Sequence, residues 1–322
     1  MNTLHAPYQV RGARFGHAAR SRSSRFLRRS GLASILIASA LGLTVNRAAA
    51  QGTLPVEWER LTSGDFVKAI GQAEGTCLLP FGILEKHGQQ LPLGTDLLNV
   101  RYVSINAAKN EFAVVFPAYY FGQIFEARHQ PGTVAYSANL QLALLEATTD
   151  EMARNGCKKV IIVNGHGGNE HLLPYFAQSE LAVPHDYVVY IFGLPNLERA
   201  GRPAVKSPFD MHAGEEETSD TMISAPDAVH LDRANQESGA DLHRLNLPDS
   251  LYTGIWWYAR FPNHYAGNAA HANRELGEFD METWQEELVT AIKAVKADNE
   301  SLKLQKEFYE QASHPLDTKP EE

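Results

Sequence analysis

Residues 137–169 read SANLQLALLEATTDEMARNGCKKVIIVNGHGGN, and the fold turns on this stretch. In its first half Leu140, Leu144, Leu145, Thr148 and Met152 recur at helical spacing, and Gly156 stands where a C-terminal cap belongs. The second half changes period. KKVIIV is a continuous apolar run rich in β-branched residues, the pattern of a strand covered on both faces. Three further runs of this kind are GTCLLPFG (75–82), FAVVFPA (112–118) and DYVVYIFG (186–193). A strand, an amphipathic helix and a second strand make a β-α-β unit. The chain is therefore predicted to be an α/β protein, a three-layer α/β/α sandwich around a mostly parallel sheet. From Phe279 to about Gln311 it continues as one or two helices, with Trp284, Leu288, Ile292 and Val295 on the buried stripe.

In such a sheet, ligands bind beyond the carboxyl ends of the strands. Three polar clusters fall there: EKHGQQLPLGTD (85–96) after the first run, NGHGGN (164–169) after KKVIIV, and DMHAGEEETS (210–219) after the fourth. Taken singly, Glu85 and His87 read as an ion pair in a turn, and Glu215, Glu216 and Glu217 as acids favoured at a helix N-terminus. His166 stands apart, because glycines on both sides let the backbone approach a ligand closely. Taken together, Glu85, His87, Asp96, His166 and Glu217 offer two imidazoles and three carboxylates. This mixed N/O set suits Zn²⁺, Mn²⁺ or Fe²⁺. Five donors exceed what one catalytic zinc takes from protein, which brings in two ions sharing a carboxylate.

The segments LPFGILEKHGQQLPLGTD, VNGHGGN, HAGEEETS and GNAAHANRELG resemble, in order and spacing, the motifs of the creatininase family of metal-dependent amidohydrolases, over about residues 75–278. The resemblance implies a creatininase-like fold and a centre of two divalent ions, Zn, Mn or Fe. It also implies hydrolysis of a C–N bond in a small, usually cyclic, amide or formamide by a metal-activated water. It assigns Glu85 and His166 to one ion, His87 to the other, and Asp96 as the bridge, with Glu217 completing the second site. His212 becomes the proton carrier to the departing nitrogen. A homo-oligomer, a hexamer as in the family, is implied as well.

Creatininase itself has a glutamate ligand two residues after the histidine of NGH, where this chain has Gly168. Its substrate-contacting tryptophan–aspartate pair has no match before His212. The resemblance is thus to a non-creatininase branch, with Glu217 supplying the missing ligand. Glu126 and His129, in FGQIFEARHQPGTVAYS (121–137), are candidate substrate contacts on a wall of the site. Backbone N–H groups of Gly167 and Gly168 are candidates for holding a developing oxyanion. The aromatic group GIWWYARFPNHY (254–265) either lines the pocket or packs between subunits. Two other functions stay open: a ring-opening or C–C hydrolase of a keto-inositol or lactone on the same centre, and a non-catalytic metal or solute binder of the envelope.

Residues 1–50 contain eight arginines and no acidic residue, then the apolar run Gly31–Val45 and an AAA before Gln51. Together these features describe a secretory signal peptide. A membrane anchor needs about 20 apolar residues, more than this run supplies. Arg28-Arg29 suggests the twin-arginine type. The mature chain, 51–322, is then expected to be one catalytic domain, periplasmic or secreted. It keeps 21 basic against 38 acidic residues, a net charge of −17. A surface so acidic disfavours nucleic acid and anionic lipid, leaving a small molecule as the expected partner. Cys77 and Cys157 both border apolar runs, where cysteine often packs as a small hydrophobe. Export permits their pairing, and the sequence leaves it open.

Overall fold

The apolar runs around Leu78 and Ile161 lie side by side at the centre of a parallel sheet. The structure, a computed structural model, describes residues 53–248 and 250–320; the signal peptide expected over 1–50 lies outside the described residues. Among the described residues, β1 (Thr76–Phe81), β2 (Val114–Val115), β3 (Lys159–Asn164) and β4 (Val188–Phe192) pair in the order β2-β1-β3-β4, all parallel. Every residue of β1 and all but Lys159 in β3 are buried. That is why their sequences show no polar alternation.

Six helices build the two outer layers: α1 (Ser63–Gln72), α2 (Thr95–Asn110), α3 (Ala138–Arg154), α4 (Leu172–Ser179), α5 (Glu215–Ser224) and, after the short α6 (Trp256–Arg260), α7 (Arg274–Ala297). The helix α8 (Ser301–Ser313) follows near the end of the chain. Alternate strand residues serve opposite layers. Leu79, Phe81, Val160 and Ile162 pack on Leu145 and Met152 of α3 and Phe176 of α4. Leu78, Ile161 and Val163 pack on Val100 and Val103 of α2 and on Trp284, Leu288 and Ile292 of α7. The result is a three-layer α/β/α architecture. No helix of the described residues is long and apolar enough to cross a membrane.

Two local expectations need correction. The run FAVVFPA yields only a two-residue strand, because β2 is the sheet edge and Pro117 has no N–H to donate. The buried stripe of α3 is Gln141, Leu145, Thr149 and Met152, while Leu140 is 42% exposed. Gln141 and Thr149 can be buried because their polar atoms are satisfied: Gln141 Nε2 donates to Tyr136 O and the Thr149 hydroxyl to Leu145 O. Gly156 does close α3, at φ 105°, a left-handed conformation that favours glycine.

Cys77 on β1 and Cys157 just before β3 form a disulfide across 80 residues of sequence. Both are fully buried in the layer under α3. Cross-linking a loop of this length removes freedom from the unfolded chain. Replacing both cysteines by alanine is expected to lower stability by about 2–4 kcal/mol, seen as a fall in Tm of roughly 5–15 °C. Thermal unfolding followed by circular dichroism reads this directly. An unchanged Tm would mean that neither the bond nor the packing of the two sulfurs contributes measurably to stability.

The strand order positions the site. The chain leaves β1 through α2 towards the edge, then returns through α3 to β3 on the other side of β1. Right-handed crossovers in opposite directions put α2 and α3 on opposite faces. The connections leaving β1 and β3 therefore diverge, and a crevice opens at this switch point. Phe81 and Asn164, the last residues of the two strands, are register partners. Glu85 and His166 lie just beyond them.

Candidate metal centre

Three segments deliver the five candidate donors to this crevice. Glu85 and His87 come from the loop after β1, and Asp96 from the first turn of α2, where the helix N-terminus favours a carboxylate. His166 comes from the loop after β3, and Glu217 from the first turn of α5. Their donor atoms fall into overlapping groups. Glu85, Asp96 and His166 can each place one within 4.8 Å of the others, and so can His87, Asp96 and Glu217. Asp96 faces both ways: Oδ1 is 3.0 Å from His87 Nε2, and Oδ2 is 3.0 Å from His166 Nδ1.

The imidazoles are held from behind. His166 Nε2 lies 3.0 Å from the carbonyl of Gln123, an acceptor only, so the ring's N–H belongs there. Its Nδ1 then points a lone pair at Glu85 Oε1, 2.9 Å away, and at Asp96 Oδ2. Those two carboxylate oxygens are buried and have no hydrogen-bond partner. His87 repeats the arrangement. Nδ1 faces the Glu85 carbonyl at 3.3 Å, leaving Nε2 towards Asp96 Oδ1 and, at 3.7 Å, Glu217 Oε2. Each inner nitrogen thus faces carboxylate oxygens, a contact that needs either a proton or a cation between them. Backbone-anchored imidazoles with free inner nitrogens are what metal ligation requires. The residues present fit a divalent cation.

The electrostatics agree with this. Burial pushes the His87 imidazolium pKa down, but Asp96, Glu217 and Glu85 outweigh it and hold the value up at about 10. Burial acts likewise on His166, and Glu85 and Asp96 again raise its pKa well above the usual range. Burial pushes Glu85 up, yet His166 and His212 pull it well below the ordinary carboxylate value. The site is a buried excess of negative charge. Bare of a cation, it favours protons on His87 and His166, and metal binding would displace them.

The three consecutive glutamates of α5 go three ways, as a helix of 100° per residue requires. Glu215 is buried and accepts the N–H groups of Lys206 and Ser207, each at 2.8 Å. Glu216 pairs with Arg202 at 2.6 Å. Glu217 turns into the crevice and accepts Ala213 N–H at 2.5 Å. His212 sits in the same cup, its ring centroid 4.4 Å from that of His87. Its Nε2 lies 2.9 Å from Lys86 O, which leaves Nδ1 free, 3.8 Å from Glu217 Oε2.

A family model matches most of the chain. That model, described as creatinine amidohydrolase of the Creatininase family, covers residues 59–292. The chain belongs to the creatininase family. It is 24% identical over 260 residues to the creatinine amidohydrolase of Pseudomonas putida, covering 72% of this chain and 94% of that one. A mycofactocin precursor peptide peptidase of Mycolicibacterium smegmatis is 31% identical over 162 residues, 48% of this chain and 60% of that one. Among solved structures, one named "Creatininase Mn" superposes with a TM-score of 0.63 at 23% identity, covering 76% of this chain and 99% of that one. At that identity the likeness speaks for the fold.

Gly168 lies close against the ring of His166. A Cβ at this position would come 2.4 Å from His166 Nε2, so any side chain here would require that ring to move. Glu217 brings a carboxylate oxygen to 3.7 Å from His87 Nε2, beyond Asp96 at 3.0 Å, from across the crevice. The other sequence candidates separate by depth. Gly167 and Gly168 line an inner chamber of about 400 Å³ beside Glu85, His166 and His212. Glu126 lines both this chamber and a larger outer cavity of about 1310 Å³. His129 belongs to the outer cavity alone, 2.8 Å from Pro262 O, and does not reach the donor cluster.

Sequence reasoning missed His264, the histidine of the aromatic group. It is buried, receives the indole N–H of Trp257 on Nδ1 at 2.8 Å, and places Nε2 against Glu85 Oε2. Burial is the main cause that lowers its pKa to about 4, against the opposing hydrogen bond to Glu85. The one histidine inside WWYARFPNHY was the available signal.

Proposed function

We propose that this protein is a metal-dependent amidohydrolase that holds two divalent ions, Zn, Mn or Fe, and hydrolyses the C–N bond of a small amide, cyclic amides foremost. One observation carries this reading: two buried imidazoles, each anchored by its outer nitrogen, present their inner nitrogens to the two oxygens of one carboxylate, Asp96. Glu85 and His166 would hold one ion, His87 and Glu217 the other, with Asp96 between them. When bound, such ions acidify a water to serve as nucleophile and polarise the carbonyl under attack. The two named relatives support the bond type, since a creatinine amidohydrolase and a peptide peptidase both break amide C–N bonds.

The chain's own groups do the rest. His212 donates through Nε2 to Lys86 O, which fixes its tautomer and leaves Nδ1 to take a proton and pass it to the departing nitrogen. Trp256, Trp257 and Met211 wall the inner chamber and limit water. A chamber of about 400 Å³ is the size of small-ligand sites. The Cys77–Cys157 bond suits an oxidising compartment, which supports the export read from residues 1–50. A closed oligomer is part of the same proposal.

The test is a panel of cyclic amides, formamides, lactones and keto-inositols offered to the purified protein before and after dialysis against a chelator. Amide hydrolysis is expected to fall at least about 10²-fold on dialysis and to return with Zn²⁺ or Mn²⁺. Full activity in the chelated protein would refute the metal dependence. Turnover of the keto-inositols alone would refute the bond assignment.

A further inference from the structure

His264 is held in a costly conformation. Its φ is 51°, in the left-handed region that side-chain-bearing residues rarely occupy, and it is 2% exposed. Such conformations persist where the surroundings over-determine them. Two sets of contacts do so here. Trp257 Nε1–H donates to Nδ1, and because an indole nitrogen can only donate, Nδ1 is the acceptor and the ring's proton lies on Nε2, against Glu85 Oε2. The neighbouring backbone is drawn to the same loop: Lys86 Nζ donates to Asn263 O at 2.8 Å and pairs with Glu237 at 2.7 Å. The ring also stands 4.5 Å, centroid to centroid, from His212.

Resting on the reading of Glu85 as a ligand, we propose that His264 is a positioning residue of the metal centre. With its tautomer set by Trp257, it engages Oε2 of Glu85 and leaves Oε1 alone to face Asp96 and His166. Glu85 Oε1 is indeed the oxygen without a hydrogen-bond partner. Its counterpart Oε2 is also 3.9 Å from His212 Nε2, so His264 separates the metal-facing side of the carboxylate from the side facing the proton carrier. The aromatic segment 254–265 thereby serves the ion as well as the pocket wall.

The test is calorimetric titration of the metal-free full-length mature protein with Zn²⁺, and separately with Mn²⁺, comparing His264→Gln and His264→Met with wild type. The two replacements are similar in size and suffer the same backbone penalty. Only glutamine keeps an N–H donor near the place of Nε2. Methionine is expected to weaken one of the two ions by about 10–100-fold, the effect usual for lost support of a ligand, while glutamine retains most of the affinity. Wild-type affinity in the methionine variant, or equal loss in both, would overturn the proposal, since a packing role predicts no advantage for the donor. If neither variant folds, Trp257→Phe decides. A selective loss at one ion supports the proposal, and unchanged affinity overturns it. A wild-type protein that binds neither metal would overturn the reading of the centre itself, and this inference with it.

Discussion

Asp96→Ala is expected to empty both ion sites and to lower kcat/KM by about 10³-fold or more, a loss on the order of 4 kcal/mol in transition-state stabilisation. The reason is geometric. Asp96 belongs to the Glu85–His166 group and to the His87–Glu217 group, with one oxygen 3.0 Å from each histidine. Removing it leaves each ion with two protein donors. Folding should survive, because the carboxylate sits in the first turn of α2, where its interaction with the helix terminus is worth only about 0.3–1 kcal/mol. Glu217→Ala is the contrast: it touches only one group and should remove one ion. Elemental analysis of both variants beside their circular dichroism checks this. An Asp96→Ala protein that keeps one ion fully bound would reject the shared-carboxylate assignment.

His212→Ala is expected to behave in the opposite way, keeping both ions while turnover falls about 10²–10⁴-fold, the usual range for a lost general acid–base group. His212 is buried beside His87, with Nδ1 unengaged and Nε2 committed to Lys86 O. It can also approach Glu85 and His87 closely enough to share a cation with them. If it were chiefly a ligand, its removal would cost metal and activity together. If the protein were a metal or solute binder without turnover, removal would change neither. Metal content and initial rates measured on one preparation separate the three outcomes.

How much of this was legible in the sequence depends on the kind of residue. The central strands were readable because β1 and β3 are buried on both faces, which leaves unbroken apolar runs. The donor clusters were readable because each directly follows a strand or opens a helix. The face of α3 was misjudged because burial of Gln141 and Thr149 depends on hydrogen bonds that hydrophobicity does not encode. The extent of β2 depended on its place at the edge, a tertiary fact. The disulfide required β1 and the turn before β3 to be neighbours, which no spacing of two cysteines reveals. His264 was hidden for a related reason. Its partners are 7 and 179 residues away, and its role appears only when the aromatic segment folds back over the loop of Glu85.

The most direct measurement is a crystal structure of the metal-loaded protein with anomalous scattering recorded at the Mn or Zn edge. The account predicts two anomalous peaks flanking Asp96, one beside Glu85 and His166 and the other beside His87 and Glu217. A single peak, or peaks that do not share Asp96, would contradict it.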